Sequence, residues 1–75
     1  HGQRGPGLPA ADELDAVCQR HDACYERAGR RSCGCDQVMR REALAVAELQ
    51  HLSREVRSRA ASVAEAAELM ECEDP

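Results

Sequence analysis

The sequence predicts an all-α fold: a disulfide-linked antiparallel helix pair, preceded by a glycine-rich loop and followed by a further C-terminal helix. Three observations carry this expectation. Leu14, Val17, Cys18, His21, Cys24, Tyr25 and Ala28 recur at steps of three and four, which is one face of an α-helix. From Cys35 to Asp74 there is no Gly and no Pro, and Ala, Glu, Arg and Leu dominate; these are strong helix formers. Five cysteines in 75 residues point to covalent staples, which a chain too short to bury a large core usually needs. With no Trp, no Phe and Tyr25 as the single Tyr, the core must come from small side chains, at about 25 cal/mol per Å² of buried apolar surface.

Residues 1–11 hold three of the five glycines and two of the three prolines, so they read as a loop. Asp12 is a fair N-cap, Asp15 favours the positive helix end, and Gly29 is placed to stop the helix, which gives a first helix over 12–28. Arg30-Arg31-Ser32 is a short basic turn. Beyond it, Val38, Ala45, Leu49, Leu52 and Val56 form one stripe, which Ala60, Val63, Ala67 and Met70 continue. A single helix of ~38 residues would be ~57 Å long at 1.5 Å per residue, too long for a compact chain of this size. A break is expected near Ser53, or at Ser62, where Ser62-Val-Ala-Glu65 reads as a capping box. The expected elements are a second helix over 35–52 and a C-terminal helix over 54–72. The acidic last turn (Glu71, Glu73, Asp74) sits badly at a helix C-terminus and is expected to fray.

The formal charge of −4 argues against a nucleic-acid partner, which would call for a basic face. No apolar run reaches the ~18 residues of a membrane span. The cysteine count favours an oxidising, extracellular compartment. The chain opens on His1 rather than Met and is read as a mature or trimmed product of secretion. Zinc is set aside, because no cysteine pair shows C-x2-C spacing.

The chemistry concentrates in Asp15-Ala-Val-Cys18-Gln-Arg-His21-Asp22-Ala-Cys24-Tyr25 and Cys33-Gly-Cys35-Asp36. His21 faces inward with Cys18, Cys24 and Tyr25, while Asp22 lies ~100° round the helix. Cys24 and Cys35 can bridge across the turn, which sets Asp36 opposite His21 and Tyr25. A carboxylate there accepts one imidazole N–H, fixes the tautomer and leaves the other nitrogen as a general base. Tyr25 can donate its hydroxyl to the same carboxylate. Asp22 points toward the glycine-rich loop, where it can bind a hard cation with loop carbonyls.

These motifs resemble the secreted phospholipase A2 family, whose helix signature reads C-C-x-x-H-D-x-C-Y, with C-x-C-D on the second helix. The resemblance covers residues 1–36, and extends a few turns along the second helix. It implies His21, Asp36 and Tyr25 as catalytic residues. Counting back from His21 places the calcium-binding carbonyls at His1, Gln3 and Gly5, with Asp22 as the carboxylate ligand. It implies calcium-dependent hydrolysis of the sn-2 ester of glycerophospholipids, presented by a phospholipid membrane surface or micelle. Val17 and Glu42 stand where the family has a cysteine pair, and the family partner of Cys18 falls at Gly2. The short stretch between Tyr25 and Cys33 leaves no room for the β-wing of the animal enzymes, so compact microbial and parvoviral forms are the nearer comparison. A second chain or a removed segment is expected to supply the family's N-terminal helix.

Two further bridging expectations follow from a turn near Ser53, which would return residue 72 to residue 33 and allow Cys33–Cys72 within the ~7 Å Cα limit. Cys18 would then be unpaired or linked to another chain. Two other functions compete with the enzyme: a catalytically weak phospholipase A2-like binding protein or toxin subunit, and a helical module whose acidic C-terminal half pairs with a partner. Arg30, Arg31 and the Arg57–Arg59 charges read as solvated surface.

Overall fold

A computed structural model describes residues 12–73. They form three helices: α1, Glu13–Ala28; α2, Cys33–Ala47; and α3, Arg54–Leu69. The loop expected over 1–11, with His1, Gln3 and Gly5, lies outside the described residues, as does Asp74.

Each end of α1 has a local cause. The Asp12 side chain accepts the Asp15 backbone N–H at 2.9 Å, satisfying a donor with no partner inside the helix. Gly29 adopts φ 72 and its N–H donates to the Tyr25 carbonyl, the left-handed cap that a residue with a Cβ would resist.

The later boundaries differ from the sequence expectation. α2 begins at Cys33 rather than 35 and ends at Ala47 rather than 52. α3 starts where expected but stops at Leu69 rather than 72. No Gly or Pro ends α2; the chain turns through 48–52 because folding back lets Leu52 and Val56 pack on the core around Val46 and Ala60. Tertiary burial outweighs helix propensity here. Of the two proposed break points Ser53 is the one used: its hydroxyl accepts the Val56 N–H at 3.2 Å, while Ser62 lies inside α3.

The central helix α2 packs on both α1 and α3, and the layer measures 37 × 35 × 13 Å, little thicker than one helix with its side chains. Leu14 and Val17 from α1, Met39 and Val46 from α2, and Ala60 and Ala67 from α3 form the buried core. Ala43 and Ala60 are fully buried, and their small side chains let the helices approach closely. Two disulfides complete the frame, Cys24–Cys35 with Cα atoms 5.8 Å apart and Cys33–Cys72 with Cα atoms 5.0 Å apart. The second brings the C-terminal segment back to the α1–α2 turn. There the Cys33 N–H donates to the Glu73 carbonyl and the Glu73 N–H to the Arg31 carbonyl, and Ser32 and Glu73 form an isolated parallel bridge. Glu73 is thus tied down rather than frayed, because the cross-link at Cys72 holds its backbone against a partner.

Candidate catalytic site on the first helix pair

His21 and Tyr25 are one helical turn apart on α1, so their side chains share a face; the ring centroids are 4.2 Å apart with a tilt of 53°. Asp36 sits in the first turn of α2 and is brought opposite them by the neighbouring Cys24–Cys35 bridge. His21 Nε2 lies 2.8 Å from Asp36 Oδ1, and the Tyr25 hydroxyl donates to the same oxygen at 2.5 Å. The pair is well shielded: the His21 side chain is 9% exposed and that of Asp36 4%. Asp36 Oδ2 is buried with no hydrogen-bond partner among the described residues.

An ionised carboxylate only accepts hydrogen bonds, so Nε2 carries the imidazole proton in this contact. Nδ1 is then left with its lone pair, the form a general base requires. The Tyr25 phenol is pushed up to about 12, first by burial, then by its hydrogen bond to Asp36 and the charge of that carboxylate, with Arg31 acting against them. Tyr25 therefore remains a neutral donor at any physiological pH.

Asp22 follows His21 but is exposed and enters no hydrogen bond or ion pair among the described residues. An unengaged carboxylate is the oxygen donor that a hard cation takes. Among the described residues no cluster of three or more His, Cys, Asp or Glu side chains could hold a metal ion, so further ligands would be backbone oxygens or lie in 1–11. Asp22 is one carboxylate oxygen donor of the several a calcium ion takes; His1, Gln3 and Gly5 lie outside the described residues.

Cys18 is free and exposed. Although the residue is exposed overall, partial burial of its thiol, with the charges of Asp15 and Asp22, raises its pKa, which keeps it protonated and slow to react. Where the family has a cysteine pair, Val17 is buried in the core, and Glu42 instead accepts from Arg20 Nε at 3.1 Å. That exposed ion pair joins the same two helices at much lower strength. Two features escaped the sequence reading. Arg57, read as solvated, has its Nε buried without a partner. Arg31 is held at its backbone by Glu73, whose Oε1 accepts the Arg31 N–H at 3.1 Å. The second could have been anticipated only from the pairing of Cys33 with Cys72.

The chain is similar to several snake phospholipases A2. It is 53% identical over 32 residues to basic phospholipase A2 CM-III of Naja mossambica, to a basic phospholipase A2 of Naja nigricollis and to basic phospholipase A2 nigexine of Naja pallida. Each match covers 43% of this chain and 26% of the relative, so the chain spans about a quarter of the length of the curated relatives it matches. No family model matches the chain, and neither does any solved structure. Over those 32 residues, 43% of its length, the chain is similar to phospholipases A2.

Proposed function

We propose that the chain is a calcium-dependent phospholipase A2 that hydrolyses the sn-2 ester of glycerophospholipids. The observation that carries this reading is the 2.8 Å contact between His21 Nε2 and Asp36 Oδ1, which leaves Nδ1 as the base. In this reading His21 takes a proton from a water molecule as that water attacks the ester carbonyl. Asp36 holds the ring orientation and stabilises the imidazolium that forms. The proton then passes from His21 to the leaving alkoxide. Tyr25 keeps the Asp36 carboxylate in place through its 2.5 Å hydrogen bond. Calcium, held by Asp22 with the carbonyls of His1, Gln3 and Gly5, would supply Lewis-acid stabilisation of the oxyanion.

The substrate is a phospholipid at a membrane or micelle surface, and among the described residues no helix is long and apolar enough to cross a membrane. Two disulfides suit a secreted protein. In this reading a second chain supplies the family's N-terminal helix, and nucleic acid is not a partner.

Turnover of a short-chain phospholipid, with and without calcium, tests the proposal. His21→Gln should lower the rate by roughly 10² to 10⁴ while calcium still stabilises the fold, since the imidazole is not a metal ligand here. Turnover that survives the substitution refutes the mechanism. A second reading, a catalytically weak binding protein or toxin subunit, is favoured by Cys18, which is free where the family uses it to anchor the calcium loop. Calcium binding without turnover in the wild type would select that reading.

A further inference from the structure

Side-chain ties between α1 and α2 follow one another in order along the antiparallel pair. Cys24 bonds to Cys35, His21 Nε2 meets Asp36 Oδ1 at 2.8 Å, and Arg20 Nε donates to Glu42 Oε1 at 3.1 Å. The histidine–aspartate contact thus lies between a covalent tie and an ionic one. Cys35 adjoins Asp36, whereas Glu42 lies ~9 Å further along α2 at about 1.5 Å per residue. Two helices fixed at one point can still swing about it. A lengthening of about 0.5 Å at His21 would break the contact, because N–H···O bonds extend only to about 3.2 Å. Leu14, Val17, Met39 and Val46 hold the helices together from the inner side, but burial is non-directional and tolerates sliding. A charged N–H···O bond sets both distance and direction. Glu42 also stands at one end of the cysteine pair that this chain lacks, so an ionic tie is present at the place of the missing covalent one.

We infer that Arg20 and Glu42 are positioning residues whose ion pair, in place of a covalent tie, keeps His21 within hydrogen-bonding length of Asp36. The pair acts through the angle between α1 and α2 and takes no part in the chemistry itself. For its effect on turnover the inference rests on the phospholipase reading above. The Arg20 and Glu42 side chains are 57% and 34% exposed, so the tie is weak and salt can screen it. The site is therefore sensitive to ionic strength in a way that a disulfide at the same place would not allow. The Arg40–Glu68 pair, at 3.9 Å, joins α2 to α3 and has no such consequence for His21.

The deciding measurement needs no turnover. Nitrogen NMR shifts of the His21 ring, taken at pH about 8.5 and so well above the ordinary histidine value of about 6.5, show which ring nitrogen carries the proton. Wild type in low salt should carry it on Nε2, the form that the Asp36 contact selects. Arg20→Gln and Glu42→Gln should each raise the share protonated on Nδ1 about threefold, the scale of an exposed ion pair. The double variant should raise it no further, because the two side chains act as one unit. Salt at about 1 M should bring wild type to the value of the variants and leave the variants where they are. Glu68→Gln, which breaks the Arg40 pair, should leave the ring unchanged and controls for the loss of a surface charge. Turnover of a short-chain phospholipid below its micelle-forming concentration, with calcium in excess, should follow the same order, with kcat about threefold lower and KM unchanged. Circular dichroism checks that each variant is helical. Variants that lose stability yet keep the wild-type ring form and kcat, additive effects in the double variant, or an equal effect of Glu68→Gln would each overturn the inference and leave the phospholipase reading standing. The expected ring changes in a wild type that hydrolyses nothing would uphold the positioning pair and overturn the phospholipase reading instead.

Discussion

Cys33 and Cys35 stand two residues apart, yet their disulfides serve opposite halves of the molecule. Cys35 is buried and joins α1 to α2 beside His21, Tyr25 and Asp36. Cys33 joins α2 to Cys72, beyond the end of α3 and exposed. The α1–α2 half carries a buried carboxylate with two donors on one oxygen. The α2–α3 half carries Ala60, Ala64 and Ala67 against Ala43, Met39 and Val46, and the α3 charge that reaches into it is Arg57, whose Nε is buried without a partner among the described residues. One half is built to hold polar atoms in fixed geometry and the other to bury area. A tripeptide with glycine at its centre links them, and a Cβ at Gly34 would meet only the Ser32 hydroxyl at an ordinary 3.6 Å, so packing does not require glycine there.

Removing each bridge should separate the two roles. The disulfides close loops of 39 and 11 residues, for which chain entropy gives about 3.9 and about 2.8 kcal/mol respectively. The double substitution Cys33→Ser with Cys72→Ser should therefore cost more stability in denaturant unfolding, yet keep activity in the molecules that remain folded. Cys24→Ser with Cys35→Ser should cost less stability but remove activity, because Asp36 loses its position. If both pairs affected activity alike, the division between the halves would be wrong.

Calcium should act on one half only. A ligand that binds the native state alone adds about 2.7 kcal/mol at a hundredfold excess over Kd. Asp22→Asn should remove most of that gain and leave stability without calcium nearly unchanged, since the Asp22 side chain has no hydrogen bond or ion pair to lose among the described residues. Thermal unfolding with added calcium or chelator reads this directly. Equal stabilisation of both proteins would place the ion away from Asp22.

The smallest effect at neutral pH is also the cleanest to observe. Tyr25 is the only tyrosine and there is no Trp, so tyrosinate absorbance reports this site alone. In the folded protein the midpoint should lie near 12, against about 10 in denaturant. The folded value is raised, so the associated stability is fully present below about 10 and is lost as pH rises toward about 12. Asp36→Asn should bring the midpoint down part of the way, because burial, the first cause of the shift, remains. A midpoint near 10 in the folded wild type would show that Tyr25 does not meet Asp36.

Much of the site half was legible in the sequence because its information is local. Leu14, Val17, His21 and Tyr25 repeat at helical spacing, and Asp12 and Gly29 mark the two ends of α1 through their own side-chain and backbone preferences. His21 and Tyr25 share a face for the same reason, and Cys24 and Cys35 are close enough in sequence for the turn itself to limit their partners. The α2–α3 half was less legible. Its residues favour helix throughout, so propensity could not decide where α2 stops, and the expected end at 52 gave way to Ala47.

The sequence by itself determined the helical class and the capped first helix, since each depends on neighbours within a few turns. Only the tertiary structure decided that α2 ends at Ala47, that Glu73 is clamped to Arg31 and Cys33, and that both His21 and Tyr25 meet one oxygen of Asp36. Those outcomes depend on burial and cross-links between residues far apart in the chain, whose energies appear only once the helices have packed.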